Sequence, residues 1–176
     1  MNYHDIKKCD MLNGDGIRVT LFVSGCDHHC EECQNKITWN YTSGILFNKR
    51  AENEIFEELD KDYISGLTLS GGDPLNTHNL DGILKLVTDV REKYGDSKTI
   101  WIYTGYTAEE LFEGFQYTMA KNEMVIRRLI LAMCDVLVDG KFVKELADVN
   151  FPYRGSTNQK LIDLKKTFKE KQIVYL

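Results

Sequence analysis

Ile17-Arg18-Val19-Thr20-Leu21-Phe22-Val23, followed at once by Ser24-Gly25-Cys26, is the stretch that decides the fold. Seven residues rich in β-branched and aromatic side chains read as a buried strand. The chain then turns polar and places cysteines at 26, 30 and 33. A strand that runs directly into a reactive loop is the building unit of parallel α/β sheets. The carboxyl ends of their strands share one rim, and ligands bind there.

Working outward, the same unit recurs three times. Gly66-Leu67-Thr68-Leu69-Ser70 reads as a second strand and leads into Gly71-Gly72-Asp73-Pro74. Thr99-Ile100-Trp101-Ile102-Tyr103-Thr104 reads as a third and leads into Gly105-Tyr106. Val136-Leu137-Val138 reads as a fourth and leads into Asp139-Gly140-Lys141. Between strands, residues 51–59 carry Ile55, Phe56 and Leu59 at helical spacing. Residues 79–94 place Leu80, Ile83, Leu84, Leu86, Val87 and Val90 on one stripe of period near 3.6. Residues 108–115 and 125–133 also read as helices, and 161–164 and 173–176 as short strands. This alternation predicts an α/β fold, a mostly parallel sheet with crossover helices. The chain has 176 residues, while a closed eight-fold barrel takes about 250. The expectation is therefore an incomplete, open TIM-like barrel of about five or six strands. With no repeat and no linker, residues 1–176 are expected to form a single domain.

Composition narrows the function. The net charge of −5, from 27 acidic and 22 basic residues, argues against a nucleic-acid partner. Residues 160–171 are locally basic, but Asp163 and Glu170 interrupt them, as on a solvated face. No apolar run approaches the roughly 20 residues of a membrane span. The amino terminus lacks the basic and apolar blocks of a secretory signal, so the expected compartment is the cytoplasm and no membrane is involved. No hydrolytic Ser/His/Asp set and no phosphate-binding loop of the G-x-x-x-x-G-K-[ST] type is found.

Five cysteines is an odd number, and three of them fall within eight residues as C-x3-C-x2-C. Without a secretory context, a metal site is the better reading than a disulfide framework. Thiolates are the usual ligands of iron–sulfur clusters. Three of them on a four-iron cluster leave one iron without a protein ligand, an open position of the kind catalytic metals keep. Structural zinc is the alternative, with His28 or His29 as fourth ligand. Those histidines sit between the cysteines on a short loop, and the two separated pairs typical of zinc are missing. A ferredoxin-like cluster would want a fourth cysteine nearby, yet the next is Cys134. Cys9 and Cys134 read as packing residues. Gly71 and Gly72 lack Cβ atoms, so backbone can approach a ligand closely; the same Gly-Gly-Asp-Pro run is also a good plain turn. Lys141 reads equally as a solvated lysine.

Residues 13–18, 22–26, 70–75, 104–106, 138–142 and 154–159 follow one another as Asn-Gly-Asp-Gly-Ile-Arg, Phe-Val-Ser-Gly-Cys, Ser-Gly-Gly-Asp-Pro-Leu, Thr-Gly-Tyr, Val-Asp-Gly-Lys-Phe and Arg-Gly-Ser-Thr-Asn-Gln. In this order, and with the cysteine motif, they resemble the radical S-adenosylmethionine superfamily, and within it the activases of anaerobic ribonucleoside-triphosphate reductase. The resemblance implies a [4Fe–4S] cluster on Cys26, Cys30 and Cys33. S-adenosyl-L-methionine would bind the open iron through its methionine amino and carboxylate groups. Reductive cleavage would give a 5′-deoxyadenosyl radical, which takes hydrogen from a glycine Cα of the reductase. Backbone at Glu32, Cys33 and Gln34 would contact the adenine, although Glu32 stands where many members carry an aromatic. Gly71, Gly72 and Asp73 would meet the methionine amino group, and Lys141 its carboxylate or the partner. Implied partners are the reductase and a small reducing protein as electron donor. Two readings stand beside this one: an activase of another glycyl-radical enzyme, and a non-enzymatic iron–sulfur or zinc binding module.

Overall fold

The computed structural model describes residues 1–112 and 122–176. Its strands are β1 (Asn2–Asp10), β2 (Arg18–Val23), β3 (Ile45–Leu46), β4 (Gly66–Gly71), β5 (Thr99–Tyr103), β6 (Val136–Val138) and β7 (Leu161–Asp163). Its α-helices are α1 (Lys49–Leu59), α2 (Leu80–Tyr94), α3 (Ala108–Phe112), α4 (Asn122–Ala132) and α5 (Leu164–Glu170). They form one mixed sheet in the order β3-β1-β2-β4-β5-β6-β7. The four strands expected from the sequence are its centre, and they run parallel: β2 with β4, β4 with β5, and β5 with β6.

Side chains alternate across this sheet with period two, so each strand serves two different faces. Leu21, Leu69, Ile102 and Leu137 stand side by side in the register and are fully buried. Against them pack Ile55 and Leu59 of α1, Ile83, Val87 and Val90 of α2, and Ile130 and Leu131 of α4. These are the residues of the helical stripes, so the apolar periodicity fixed which helix face turns inward. Asn48 caps α1 by accepting from the backbone N–H groups of Arg50 and Ala51. Thr20, Thr68, Trp101 and Val136 share the other face, followed one step on by Phe22, Ser70, Tyr103 and Val138. That second face is mixed: Thr20, Thr68 and Ser70 lie on it beside a smaller apolar cluster of Trp101, Val136 and Val138, and it leads to the rim at the strands' carboxyl ends.

The structure corrects several expectations. Among the described residues the sheet has seven strands rather than five or six; it is open, as expected, with β3 and β7 at its edges. β1 escaped the sequence reading because, within its Asn2–Asp10 span, the buried residues are only Ile6 and Asp10. It pairs antiparallel with β2, and its signal is backbone pairing rather than hydrophobic pattern. β7 pairs antiparallel with β6 and stops at Asp163. Asp163 then caps α5 by accepting from the N–H of Lys166, so most of the basic segment is a short helix. Residues 173–176 contribute a single bridge, Tyr175 to Ile162, rather than a strand. The helix expected over 108–115 is present to Phe112, and its remainder lies outside the described residues.

Arg18 holds the end of the sheet opposite the rim. It is fully buried and donates to Thr68 Oγ1 (2.7 Å), Leu67 O (2.7 Å), Asp15 O (3.0 Å), and Thr99 Oγ1 and O (both 2.9 Å). The guanidinium is thereby shared among β2, β4 and β5. Burial pulls its pKa down to about 10. Gly14 follows from this packing: a Cβ there would stand 2.8 Å from Arg18 Cδ and 2.9 Å from the Trp101 ring. Replacing Arg18 by Met keeps the stem but strands several buried acceptors, at ~1–3 kcal/mol for each one left unpaired. Arg18→Met should therefore lower unfolding free energy by roughly 2–4 kcal/mol in urea titrations. A loss under about 0.5 kcal/mol would mean that the guanidinium is dispensable.

Candidate metal centre

Because β2, β4, β5 and β6 are parallel, the loops that follow them leave the sheet at the same edge. They line a common cavity. Cys26, Cys30 and Cys33 come from the first loop, Ser70, Gly71 and Gly72 from the second, Thr104 and Gly105 from the third, and Gly140 and Lys141 from the fourth. His28 of the first loop, with Trp39, Tyr103, Phe142 and Gln159, completes the lining. Motifs up to 133 residues apart by number, from Cys26 to Gln159 (159 − 26), thus meet because of one topological fact.

The cysteine loop is fastened at its base by backbone bonds. Gly25 N–H donates to Thr38 O (2.7 Å) and Cys26 N–H to Trp39 O (3.0 Å). Asn79 Nδ2 donates to both Ser24 O (2.8 Å) and Asp73 O (2.9 Å), which ties the loop to the one after β4. His29 and Glu32 adopt left-handed backbone (φ 47° and 54°), a conformation that costs energy in non-glycine residues and clusters at functional sites. Asn35 N–H donates to Cys33 Sγ at 3.4 Å. Burial pushes the Cys26 thiol up to about 11, so metal binding there must displace a proton. Cys134 is buried in the core as expected, but Cys9 is exposed on β1 and is no packing residue.

The two glycines after β4 answer to the protein's own backbone. Gly71 has φ +98°, and a Cβ on it would lie 2.7 Å from Phe22 and Val23 backbone atoms. A Cβ on Gly72 would lie 2.6 Å from Gly25 O and 3.0 Å from Gly25 C and N. Gly72 N–H donates to Val23 O and Asp73 N–H to Gly25 O, both at 2.8 Å. The run is thus a seam between two loops, which is more than a plain turn.

Asp73 lies beneath this seam, and its side chain is 1% exposed. Its carboxylate accepts from His28 Nε2 (2.7 Å), Thr104 Oγ1 (2.9 Å), Leu75 N–H (2.8 Å) and Gly105 N–H (3.2 Å). It is directed at protein donors and does not line the cavity. Glu32 and Gln34 are exposed and also lie outside the lining, with Glu32 near Lys36 at 3.9 Å. Lys141 lines the cavity and is exposed. Asp139, in the fourth loop, accepts from Ala108 and Lys160 N–H groups, and burial raises its pKa. Gln159 reaches Gly140 O through Nε2 (2.9 Å), which explains how residues 154–159 join the rim. Trp39, Ser70 and Tyr103 were not legible as site residues. The period-two alternation of β4 and β5 could have flagged the last two, while Trp39 arrives through a loop that carries no motif.

The donor set suits an iron–sulfur cluster. Three thiols stand around one cavity, and the Trp39 indole N–H, buried and without a partner, sits on the same wall. Among the described residues, no three His, Cys, Asp or Glu side chains gather tightly enough for a single ion; a four-iron cube needs its ligands spread wider than one ion does. His28, the possible fourth zinc ligand, has its Nε2 committed to Asp73.

The fold sets a cysteine-rich loop at the rim of a parallel sheet, and residues 12–162 match the family described as "4Fe-4S single cluster domain", which places the chain among iron–sulfur proteins. The chain is 44% identical over 161 residues to the anaerobic ribonucleoside-triphosphate reductase-activating proteins of Vibrio cholerae serotype O1 and Escherichia coli strain K12, covering 90% of this chain and 96% of each relative. It is 43% identical to the protein of that name from Enterobacteria phage T4, over 92% of this chain and 93% of the relative. The chain belongs to the family of anaerobic ribonucleoside-triphosphate reductase-activating proteins. No helix among the described residues is long and apolar enough to cross a membrane.

Gly72→Ala tests the seam. The added carbon meets backbone that cannot swing away, and overpacking of this kind costs about 1–3 kcal/mol. We expect lower thermal stability together with poorer iron incorporation on anaerobic reconstitution, measured by calorimetry and metal analysis. Full iron loading at unchanged melting temperature would show that the loops can part without cost.

Proposed function

We propose that Cys26, Cys30 and Cys33 hold the four-iron cluster, with the fourth iron open to S-adenosyl-L-methionine. The chain would then activate anaerobic ribonucleoside-triphosphate reductase by producing a glycyl radical on it. The observation that carries this reading is the meeting of three thiols with the glycine-rich ends of three further strands on one cavity. A cluster held there would, when reduced, supply one electron for cleavage of the carbon–sulfur bond of S-adenosylmethionine; the products would be methionine and a 5′-deoxyadenosyl radical able to take a hydrogen atom from a glycine Cα.

This chain's own residues bind, orient and shield. Gly71 and Gly72 offer backbone at the cavity wall where the methionine amino group would lie, with Asp73 supporting them from below. Lys141 offers a cation for the carboxylate. Backbone at Glu32, Cys33 and Gln34 would meet the adenine. Trp39 lines the same cavity, and its indole N–H, buried and without a partner among the described residues, would be a donor for a cluster or thiolate sulfur. Hydrogen abstraction requires the target glycine in contact with the radical carbon, so the rim must admit a polypeptide. An open sheet, with residues 1–176 read as one domain, would leave such a mouth at the rim. We further propose that a small reducing protein delivers the electron, and that the reaction takes place in the cytoplasm.

Anaerobically reconstituted protein should carry about four iron and four sulfide per chain. Cys26→Ala, Cys30→Ala and Cys33→Ala should each abolish cleavage of S-adenosylmethionine, while Cys9→Ala and Cys134→Ala should retain it. Loss of the cluster in Cys134→Ala as complete as in Cys30→Ala would sink the open-iron reading. With reductant, S-adenosylmethionine and the reductase of its own organism, the protein should yield an oxygen-sensitive glycyl signal by electron paramagnetic resonance. That signal should vanish with Cys33→Ala. A signal with a different glycyl-radical enzyme, and none with the reductase, would reassign the partner.

A further inference from the structure

Between Cys26 and Cys33 the loop has little backbone support: Cys33 N–H returns to Cys30 O at 3.2 Å, while the Gly25 and Cys26 N–H bonds secure only its base. Side chains hold the rest. Asn76 Nδ2 donates to Asp27 (2.8 Å) and His28 Nε2 donates to Asp73 (2.7 Å). His28 stands two residues from Cys26 and two from Cys30, at the middle of the spacer. Its ring occupies the space beside Gly105, where a Cβ would come within 2.3 Å of it. The ring also meets Tyr106 edge-on, with centroids 4.7 Å apart. Its acceptor is fixed beforehand, because the same carboxylate is gripped by Thr104, Gly105 and Leu75.

We propose that His28 is a positioning residue for the cluster: the His28–Asp73 hydrogen bond latches the cysteine loop to the ends of β4 and β5 and so sets where Cys26 and Cys30 stand. The acid of the Gly-Gly-Asp-Pro run then serves the cysteine loop rather than a ligand's ammonium group. Gly105 is glycine because the latch ring occupies the space of its side chain. The inference rests on the reading that Cys26, Cys30 and Cys33 hold the cluster. A buried bond to a charged group, once removed, leaves its partner short of a donor, and the loop it held gains freedom.

The test compares anaerobic iron release from the reconstituted protein to a chelator across four variants. His28→Gln can place an amide N–H near the position of Nε2. His28→Phe keeps the ring against Tyr106 but has no donor. Asp73→Asn and the His28→Phe/Asp73→Asn pair close the cycle. We expect about tenfold faster release for His28→Phe and for Asp73→Asn, and no further gain in the pair. His28→Gln should stay within about threefold of wild type. The spectrum of the reduced cluster should shift in His28→Phe and return towards wild type in His28→Gln. Wild-type release from His28→Phe, equal release from the Gln and Phe variants, or multiplying effects in the pair would each overturn the latch. Should His28→Phe fail to fold, Asp73→Asn reads the same bond at unchanged volume. If wild type itself holds no four-iron cluster, the site reading falls, and the latch is judged on the apoprotein. There, alkylation of Cys26 should quicken in His28→Phe but not in His28→Gln, and equal rates would overturn it.

Discussion

Val23 and Gly71 stand side by side in the parallel register of β2 and β4, and the geometry of the site hangs from that pairing. It brings the first residues of two loops within backbone hydrogen-bonding distance: Gly72 N–H to Val23 O, then Asp73 N–H to Gly25 O. So close a meeting is possible only where one side lacks a Cβ, which is why Gly72 faces Gly25. The cysteine loop is consequently not a free appendage but the continuation of a seam that begins inside the sheet.

The two acids of the rim have kindred roles. Asp73 gathers donors from the cysteine loop, from its own loop and from the end of β5. Asp139 gathers backbone N–H groups from the start of α3 and from the residue before β7. Each carboxylate replaces backbone pairing that irregular loops cannot make among themselves, and buried backbone N–H groups must find an acceptor somewhere. The cavity above is lined by thiols, glycine backbone, aromatic rings, neutral polar side chains such as Ser70 and Gln159, and the exposed Lys141. That surface suits a site whose reactive power comes from a bound cofactor.

The opposite end of the sheet solves a different problem. Buried polar groups there need an organiser where no ligand arrives, and Arg18 of β2 supplies it with five donated bonds to β4, β5 and the turn before β2. The same strands therefore carry the main apolar core on one face and, on the other, a smaller apolar cluster beside the Arg18 bonds, with stability at one end and the site at the other.

The sequence alone determined the four parallel strands, the helix faces that cover them and the rim on which the motifs meet. Those follow from local periodicity and from the rule that polar segments after parallel strands share one edge. It also placed Cys26, Cys30, Cys33, Gly71, Gly72 and Lys141 at that rim, where the structure has them lining one cavity. Tertiary structure alone decided the rest. β1 is invisible to hydrophobic pattern because it is held by pairing, and α5 hides in a charged run because its burial involves little more than Leu164 and Thr167. Trp39 and Gln159 join the cavity through long-range backbone and side-chain bonds that no spacing encodes. Asp73 reads in the sequence as a charge beside a ligand. Only the fold shows its carboxylate filled by four protein partners, because which way a short acid points depends on donors that arrive from elsewhere in the chain.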